Sequence, residues 1–265
     1  MIENKAKRII REGGLALGAY TGGIADPQIV EIIGFAGFDA AFIDLEHTSL
    51  DLRDVQMMVT AAERVGITSM VRTPGFDPAL ILRLLDMGVQ GIQLPHVNNA
   101  EAARAAVRAV RYAPLGDRGM FSASRAAEFG NIPNAEHMAQ SNREILLSVM
   151  IEELSALDEI DEIASTEGID LVVVGPADMS RVLGVPGQTN HPKLLEVIDC
   201  VATAVRKSGV TRLAMAMNNT VFPRNAAQLL EMGVSYANCA PTPEVRLMQS
   251  FKATVGEARK QMARR

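Results

Sequence analysis

Leu147-Ser148-Val149-Met150-Ile151-Glu152 and Leu171-Val172-Val173-Val174-Gly175-Pro176-Ala177-Asp178 are two apolar runs of strand length, each closing on a carboxylate. Between them Leu157, Ile160, Ile163 and Ala164 recur at helical spacing, so residues 147–180 read as strand, helix, strand. A unit of this kind is parallel and right-handed, which sends both strand ends to the same rim. Glu152 and Asp178 therefore emerge from neighbouring strands. Two carboxylates on one rim repel unless a positive charge sits between them, and a hard divalent cation such as Mg²⁺ or Mn²⁺ is the natural occupant. A helix cap or an ion pair is the competing explanation.

The same alternation extends both ways along the chain. Further strands are predicted at residues 15–21, 40–44, 68–72, 91–94, 213–217 and 236–240. Helices are predicted at 27–37, 52–65, 78–87, 100–111, 156–166, 192–207, 223–232 and 243–263. Gly37, Gly66, Gly88, Gly168, Gly209 and Gly233 each follow a helix, where a left-handed cap calls for glycine. Eight strand–helix units in a chain of 265 residues point to a single-domain (β/α)₈ TIM barrel over residues 1–265. An open doubly wound sheet is the rival, but it rarely runs to so many regular units. No Gly-x-Gly-x-x-Gly follows a strand, so a dinucleotide site has no support. Residues 113–142 form a long insertion that opens in turn chemistry and is expected to be functional or a partner surface. The last helix carries Leu247, Phe251 and Val255, a face expected to pack, with another subunit as a candidate partner.

The net charge of −5 leaves no footprint for nucleic acid or an anionic membrane. The N-terminus has no apolar signal core and no apolar run spans a bilayer, so a cytoplasmic protein is expected. Cys200 and Cys239 lack metal or redox spacing and read as small buried apolar groups.

In a barrel the chemistry sits at the C-terminal strand ends. Those ends carry Asp44-Leu45-Glu46-His47, Arg72-Thr73-Pro74, Gln93-Leu94-Pro95-His96, Glu152, Asp178, Asn218-Asn219 and Pro241-Thr242. His47 beyond a strand that ends in Asp44 suits a general base, because a carboxylate raises imidazole basicity; an ordinary surface histidine is the alternative. Arg72 would face the same mouth, to bind an anion or stabilise an oxyanion; a structural ion pair is the alternative. None of the six lysines sits at a strand end, which argues against a Schiff-base aldolase. No Gly-rich turn follows the last two strands, so an unphosphorylated substrate is expected. A metal, a base, an arginine and no amine are the equipment for metal-assisted enolisation of a small oxo acid.

Ile43-Asp44-Leu45-Glu46-His47, Val71-Arg72-Thr73-Pro74, Tyr112-Ala113-Pro114-Leu115-Gly116-Asp117-Arg118-Gly119, Ile151-Glu152 and Gly175-Pro176-Ala177-Asp178-Met179-Ser180 stand in an order and spacing that resembles the HpcH/HpaI aldolases. These are metal-dependent class II pyruvate aldolases, among them 4-hydroxy-2-oxoheptanedioate and 2-keto-3-deoxy-L-rhamnonate aldolases, and the resemblance spans nearly the whole chain. It implies Glu152 and Asp178 as ligands of Mg²⁺, Mn²⁺ or Co²⁺, His47 as general base, and Arg72 as the oxyanion and substrate contact. It implies that backbone at Ala177 and Asp178 meets the pyruvate carboxylate. Asp86 matches an acid that raises the basicity of the histidine and comes from an adjacent subunit; Asp44 is a second candidate. Asp86 ends a helix on the rim opposite its own His47, so delivery by a neighbour fits. A hexamer with an exchanged last helix is also implied.

Two positions depart from the pattern. Met150 stands where the heptanedioate aldolase has a glutamine, and His96 where an apolar residue is usual. The expected reaction is reversible cleavage of a 4-hydroxy-2-oxo acid to pyruvate and an aldehyde through a metal-bound pyruvate enolate. A decarboxylase or other lyase on the same enolate platform is the alternative. A non-catalytic oxo-acid-binding barrel is a third reading.

Overall fold

Short runs of β-branched and small apolar residues pair in strict sequence order. In the computed structural model, which describes residues 3–263, these are β1 (Ala16–Tyr20), β2 (Ala40–Asp44), β3 (Thr68–Arg72), β4 (Gly91–Leu94), β5 (Leu146–Ile151), β6 (Leu171–Val174), β7 (Arg212–Met217) and β8 (Val234–Cys239). Every pairing is parallel, and β8 closes on β1 to complete a barrel. The helices are α1 (Lys5–Arg11), α2 (Gln28–Phe35), α3 (Leu52–Val65), α4 (Pro78–Asp86), α5 (Ala100–Val110), α6 (Asn134–Glu144), α7 (Ile160–Ala164), α8 (Pro176–Val182), α9 (Pro192–Ser208), α10 (Ala226–Glu231) and α11 (Pro243–Ala263). This is the predicted (β/α)₈ architecture.

Side chains alternate across each strand, so every strand feeds two cores. Outward residues such as Ile43, Val71, Ile92, Val149, Ile151 and Val172 pack under the helices. Inward residues include Ala16, Ala40, Phe42, Met70, Met150 and Tyr236. Small residues on one strand leave room for large ones opposite, and Gly18 is required by this: a Cβ there would stand 2.2 Å from the Tyr236 hydroxyl. The helices begin and end on local chemistry. Asp51 caps α3 by accepting from the backbone N–H of Arg53 and Asp54, and Gly66 ends it at φ 69°.

Several elements escape the strand–helix rhythm. α1 lies outside any such unit; it plugs the N-terminal rim, with Ala6 and Ile10 joining the inner core. Lys7 sits there too, 2.8 Å from Asp170 and donating to Ile145 O, so the buried lysine is at the rim opposite the mouth. The insertion at 113–142 is not all loop: its second half enters α6, and residues 125–130 form a 3-10 turn. The predicted helix 156–166 splits into a 3-10 turn over Leu154–Glu159 followed by α7. α8 was not predicted and starts directly from β6 through Gly175 and Pro176. Cys239 is buried as expected, but Cys200 is exposed, since it falls on the outer face of α9. Among the described residues no helix is long and apolar enough to cross a membrane.

Candidate active site

β2, β3 and β4 run in register at their ends, with Asp44 opposite Arg72 and Arg72 opposite Gln93. This places the Arg72 guanidinium flat against Asp44. Its Nε and Nη2 donate to Asp44 Oδ1 and Oδ2 at 2.9 and 2.5 Å, while Nη1 lies 3.1 Å from Glu46 Oε2. Burial opposes charging Arg72, but its bonds to Asp44 outweigh that and hold its pKa above the ordinary value. For Asp44, burial pushes the carboxyl up and the Arg72 bonds pull it further down, leaving it below the ordinary range. A folded pKa below the unfolded one stabilises the fold above an unfolded value of about 3.9, and that stability is lost as pH falls through the folded pKa. Asp44→Asn is therefore expected to destabilise the protein by on the order of 3 kcal/mol at pH 7, because Arg72 keeps its charge in a buried place. Melting curves should show this gap narrowing below about pH 4; a gap that widens in acid contradicts the assignment.

Glu152 follows β5 and is 3% exposed. Asp178 lies in the first turn of α8. Between them Gly175 leaves a void that a side chain would fill: a Cβ there would stand 3.4 Å from Glu152 Oε1 and 3.5 Å from Asp178 Oδ2. The predicted pair is thus brought together over one small cradle. Burial, then the charges of Asp178 and Glu46, push the Glu152 carboxyl up, and the His96 backbone N–H at 3.2 Å only partly offsets them. Two converging carboxylates with an open side fit a hard cation that keeps water or substrate oxygens as its other ligands. Among the described residues no cluster of three or more His, Cys, Asp or Glu could hold a metal, so the donor set does not resemble a closed zinc site.

His47 stands at the mouth, its side chain 62% exposed. The carboxylate it meets is Glu46, at 3.5 Å, because Asp44 spends both oxygens on Arg72. Glu46 was missed as a site residue. It also meets His96 Nε2 at 3.4 Å through its Oε1, while Oε2 faces Arg72 Nη1 and His47. The signal was available: Glu46 follows Asp44 by two residues, which puts both on the same side of an extended chain. His96 takes φ 57°, turning the chain after β4 so that its ring reaches Glu152 at 3.4 Å as well as Glu46. The departure at His96 thus lies in the mouth itself.

A cavity of about 130 Å³ opens beside these groups, lined by Arg72, Gln93, Met150 and Asp178 with Tyr20 and Asn238. Gly175, Pro176, Ala177 and Asp178 form one wall. Ala177 and Asp178 begin α8, where first-turn N–H groups lack partners inside a helix. Asp86 is not in this cavity. It ends α4 on the opposite rim and pairs with the buried Arg118 at 2.8 Å, whose guanidinium stacks on Tyr112.

The sequence profile of the HpcH/HpaI aldolase/citrate lyase family matches residues 20–241. A pyruvate aldolase of Rhizobium etli is 36% identical over 233 residues, covering 88% of this chain and 89% of that protein. A hydroxypyruvate/pyruvate aldolase of Pseudomonas aeruginosa is 33% identical over 254 residues, covering 96% of this chain and 92% of that protein. Among solved structures, an HpcH/HpaI aldolase from Desulfitobacterium hafniense superposes with a TM-score of 0.86 at 32% identity, covering 96% of each chain.

Proposed function

The chain belongs to the HpcH/HpaI aldolase/citrate lyase family, and on that premise we propose that it is a metal-dependent pyruvate aldolase. The substrate is a 4-hydroxy-2-oxo acid, cleaved reversibly to pyruvate and an aldehyde. The observation that carries this reading is the convergence of Glu152 and Asp178 over Gly175, beside a cavity that Arg72 also lines.

Glu152 and Asp178 would hold a divalent cation such as Mg²⁺, Mn²⁺ or Co²⁺. Such an ion supplies Lewis-acid charge to the oxygens of the oxo acid. The N–H groups of Ala177 and Asp178 bind the substrate carboxylate. Arg72 keeps N–H groups on Nη1 and Nη2 beyond those that Asp44 and Glu46 engage, and aims them at the oxygen where negative charge develops. His47 takes the proton of the C4 hydroxyl; the C3–C4 bond breaks, its electron pair passes to the enolate, and the aldehyde leaves. Return of that proton from His47 to C3 then gives pyruvate and restores the neutral imidazole. Pyruvate release from a panel of 4-hydroxy-2-oxo acids should be lost after EDTA treatment and return with Mg²⁺ or Mn²⁺. Activity that survives EDTA, or trapping by borohydride, contradicts the mechanism. A protein that forms no adduct from pyruvate and any aldehyde, yet decarboxylates oxaloacetate, would favour the decarboxylase alternative.

An exposed base at the mouth needs a partner to exclude water and hold its proton. Asp86 cannot reach it within one chain, so a neighbouring subunit delivers Asp86 to His47. The apolar contact comes from α11, which buries none of its residues and exposes Val245, Leu247, Met248, Phe251 and Val255. A groove beside its first turn is lined by Ile29, Ile32 and Phe38 of the α2 region. Patches of this kind mark subunit contacts. A hexamer with α11 exchanged between neighbours is expected by light scattering, and Phe251→Glu should shift the mass downward. Mixing inactive His47→Ala and Asp86→Asn chains should restore part of the activity. A fully active monomer would refute the shared site.

A further inference from the structure

Gln93 has a buried amide that the mechanism above does not use. It faces inward on β4, is 3% exposed, and pairs in register with Arg72 on one side and Ser148 on the other. Its Oε1 accepts from Ser148 Oγ at 3.3 Å, and its Nε2 lies 2.8 Å from Met150 Sδ. The reverse amide orientation would set Oε1 against the sulfur lone pairs, so the donor end is fixed toward Met150. A thioether is a weak acceptor, and an amide donor buried against one is poorly compensated. What Nε2 lacks is an oxygen.

The cavity can provide that oxygen. Met150 and Glu152 alternate inward along the same stretch, so Met150 lies one layer below the carboxylate cradle over Gly175. Met150 cannot donate to a ligand there, but the adjacent strand brings a donor to the same spot. We infer that Gln93 is a substrate-binding residue: its Nε2–H donates to a keto or carboxylate oxygen of the 2-oxo acid, with Met150 as the apolar wall that keeps the amide turned into the cavity. This rests on the reading of the chain as a pyruvate aldolase. Gln93 lines the cavity, whereas His47 stands exposed outside that lining, so the amide meets the pyruvate half of the substrate and not the aldehyde half.

The test uses the full chain with Mg²⁺ and pyruvate as the probe. Gln93→Met keeps the length of the side chain and removes the donor. It is expected to weaken pyruvate binding in calorimetry by about 10- to 100-fold, the effect of losing one hydrogen bond to a charged group. Mg²⁺ affinity measured without pyruvate and KM for the aldehyde should stay as in the wild type. Exchanging the two residues, Gln93→Met with Met150→Gln, returns an amide to the same space from β5 and should recover most of the affinity. This double variant also carries the test if the single variant does not fold. An unchanged pyruvate affinity in a folded Gln93→Met protein overturns the assignment, as does an equal loss of Mg²⁺ affinity or a folded double variant that recovers nothing. Wild-type exchange of pyruvate methyl protons is measured alongside: with that exchange present, these outcomes concern Gln93 alone, whereas its absence defeats the aldolase reading and takes the assignment with it.

Discussion

Replacing Glu152 with glutamine is expected to lower kcat/KM for oxo-acid cleavage by about 10³-fold or more, the loss of several kcal/mol of charge stabilisation at the reacting oxygens. Glutamine keeps the shape and the contact to the His96 backbone N–H but removes the charge that the proposed cation would need at the cradle over Gly175. The same change should raise the melting temperature of the metal-free protein. Burial and the nearby Asp178 and Glu46 charges push the folded Glu152 carboxyl above its unfolded value. At neutral pH the folded state therefore holds this carboxylate at a cost, which a neutral amide removes. Glu153→Gln, at the exposed position next door, is the control and should change neither quantity. A Glu152→Gln protein that keeps wild-type activity, or one that melts lower without metal, would contradict the role assigned here.

Arg72→Lys is expected to reduce kcat by about 10²- to 10³-fold, the usual loss for one preorganised donor to a developing oxyanion. Lysine conserves charge but not shape. The guanidinium spans Asp44 through two nitrogens and meets Glu46 with the third, and a single ammonium cannot repeat this fork while also facing the cavity. Burst and steady-state kinetics should show the loss mainly in kcat, since the proposed mechanism gives the substrate carboxylate to the N–H groups of Ala177 and Asp178. An effect confined to KM would make Arg72 a ground-state contact. A lysine variant with full kcat would leave it a structural ion pair.

The barrel was legible because its signals are local. Each strand is a short apolar run, each helix has its own period, and the glycines at 66 and 209 end their helices at the left-handed φ that a side chain resists. The elements that were missed are those outside this rhythm. α1 covers the rim opposite the mouth through Asn4 and Lys7, contacts up to 163 residues apart in sequence that no window reveals. α8 is too short to show a period. At the site, the ends of β2, β3, β5 and β6 named Asp44, Arg72, Glu152 and Asp178, because parallel strands send their ends to one rim. Partner choice was not legible. The sequence sets Asp44 beside His47, but Arg72 on the next strand claims both Asp44 oxygens, and the carboxylate His47 meets is Glu46, which Arg72 also contacts. Gln93 went unassigned for a similar reason: its contact to Met150 crosses strands and depends on register.

The central claim is that this cavity turns pyruvate into a nucleophile with the help of a divalent cation. Proton NMR of pyruvate in D₂O measures that directly, through the loss of the methyl signal. With EDTA-treated protein the signal should persist; on adding Mg²⁺ or Mn²⁺ it should decay, and His47→Ala should slow the decay strongly. Decay that proceeds unchanged in EDTA, or a methyl signal that persists with each of Mg²⁺, Mn²⁺ and Co²⁺, would contradict the claim.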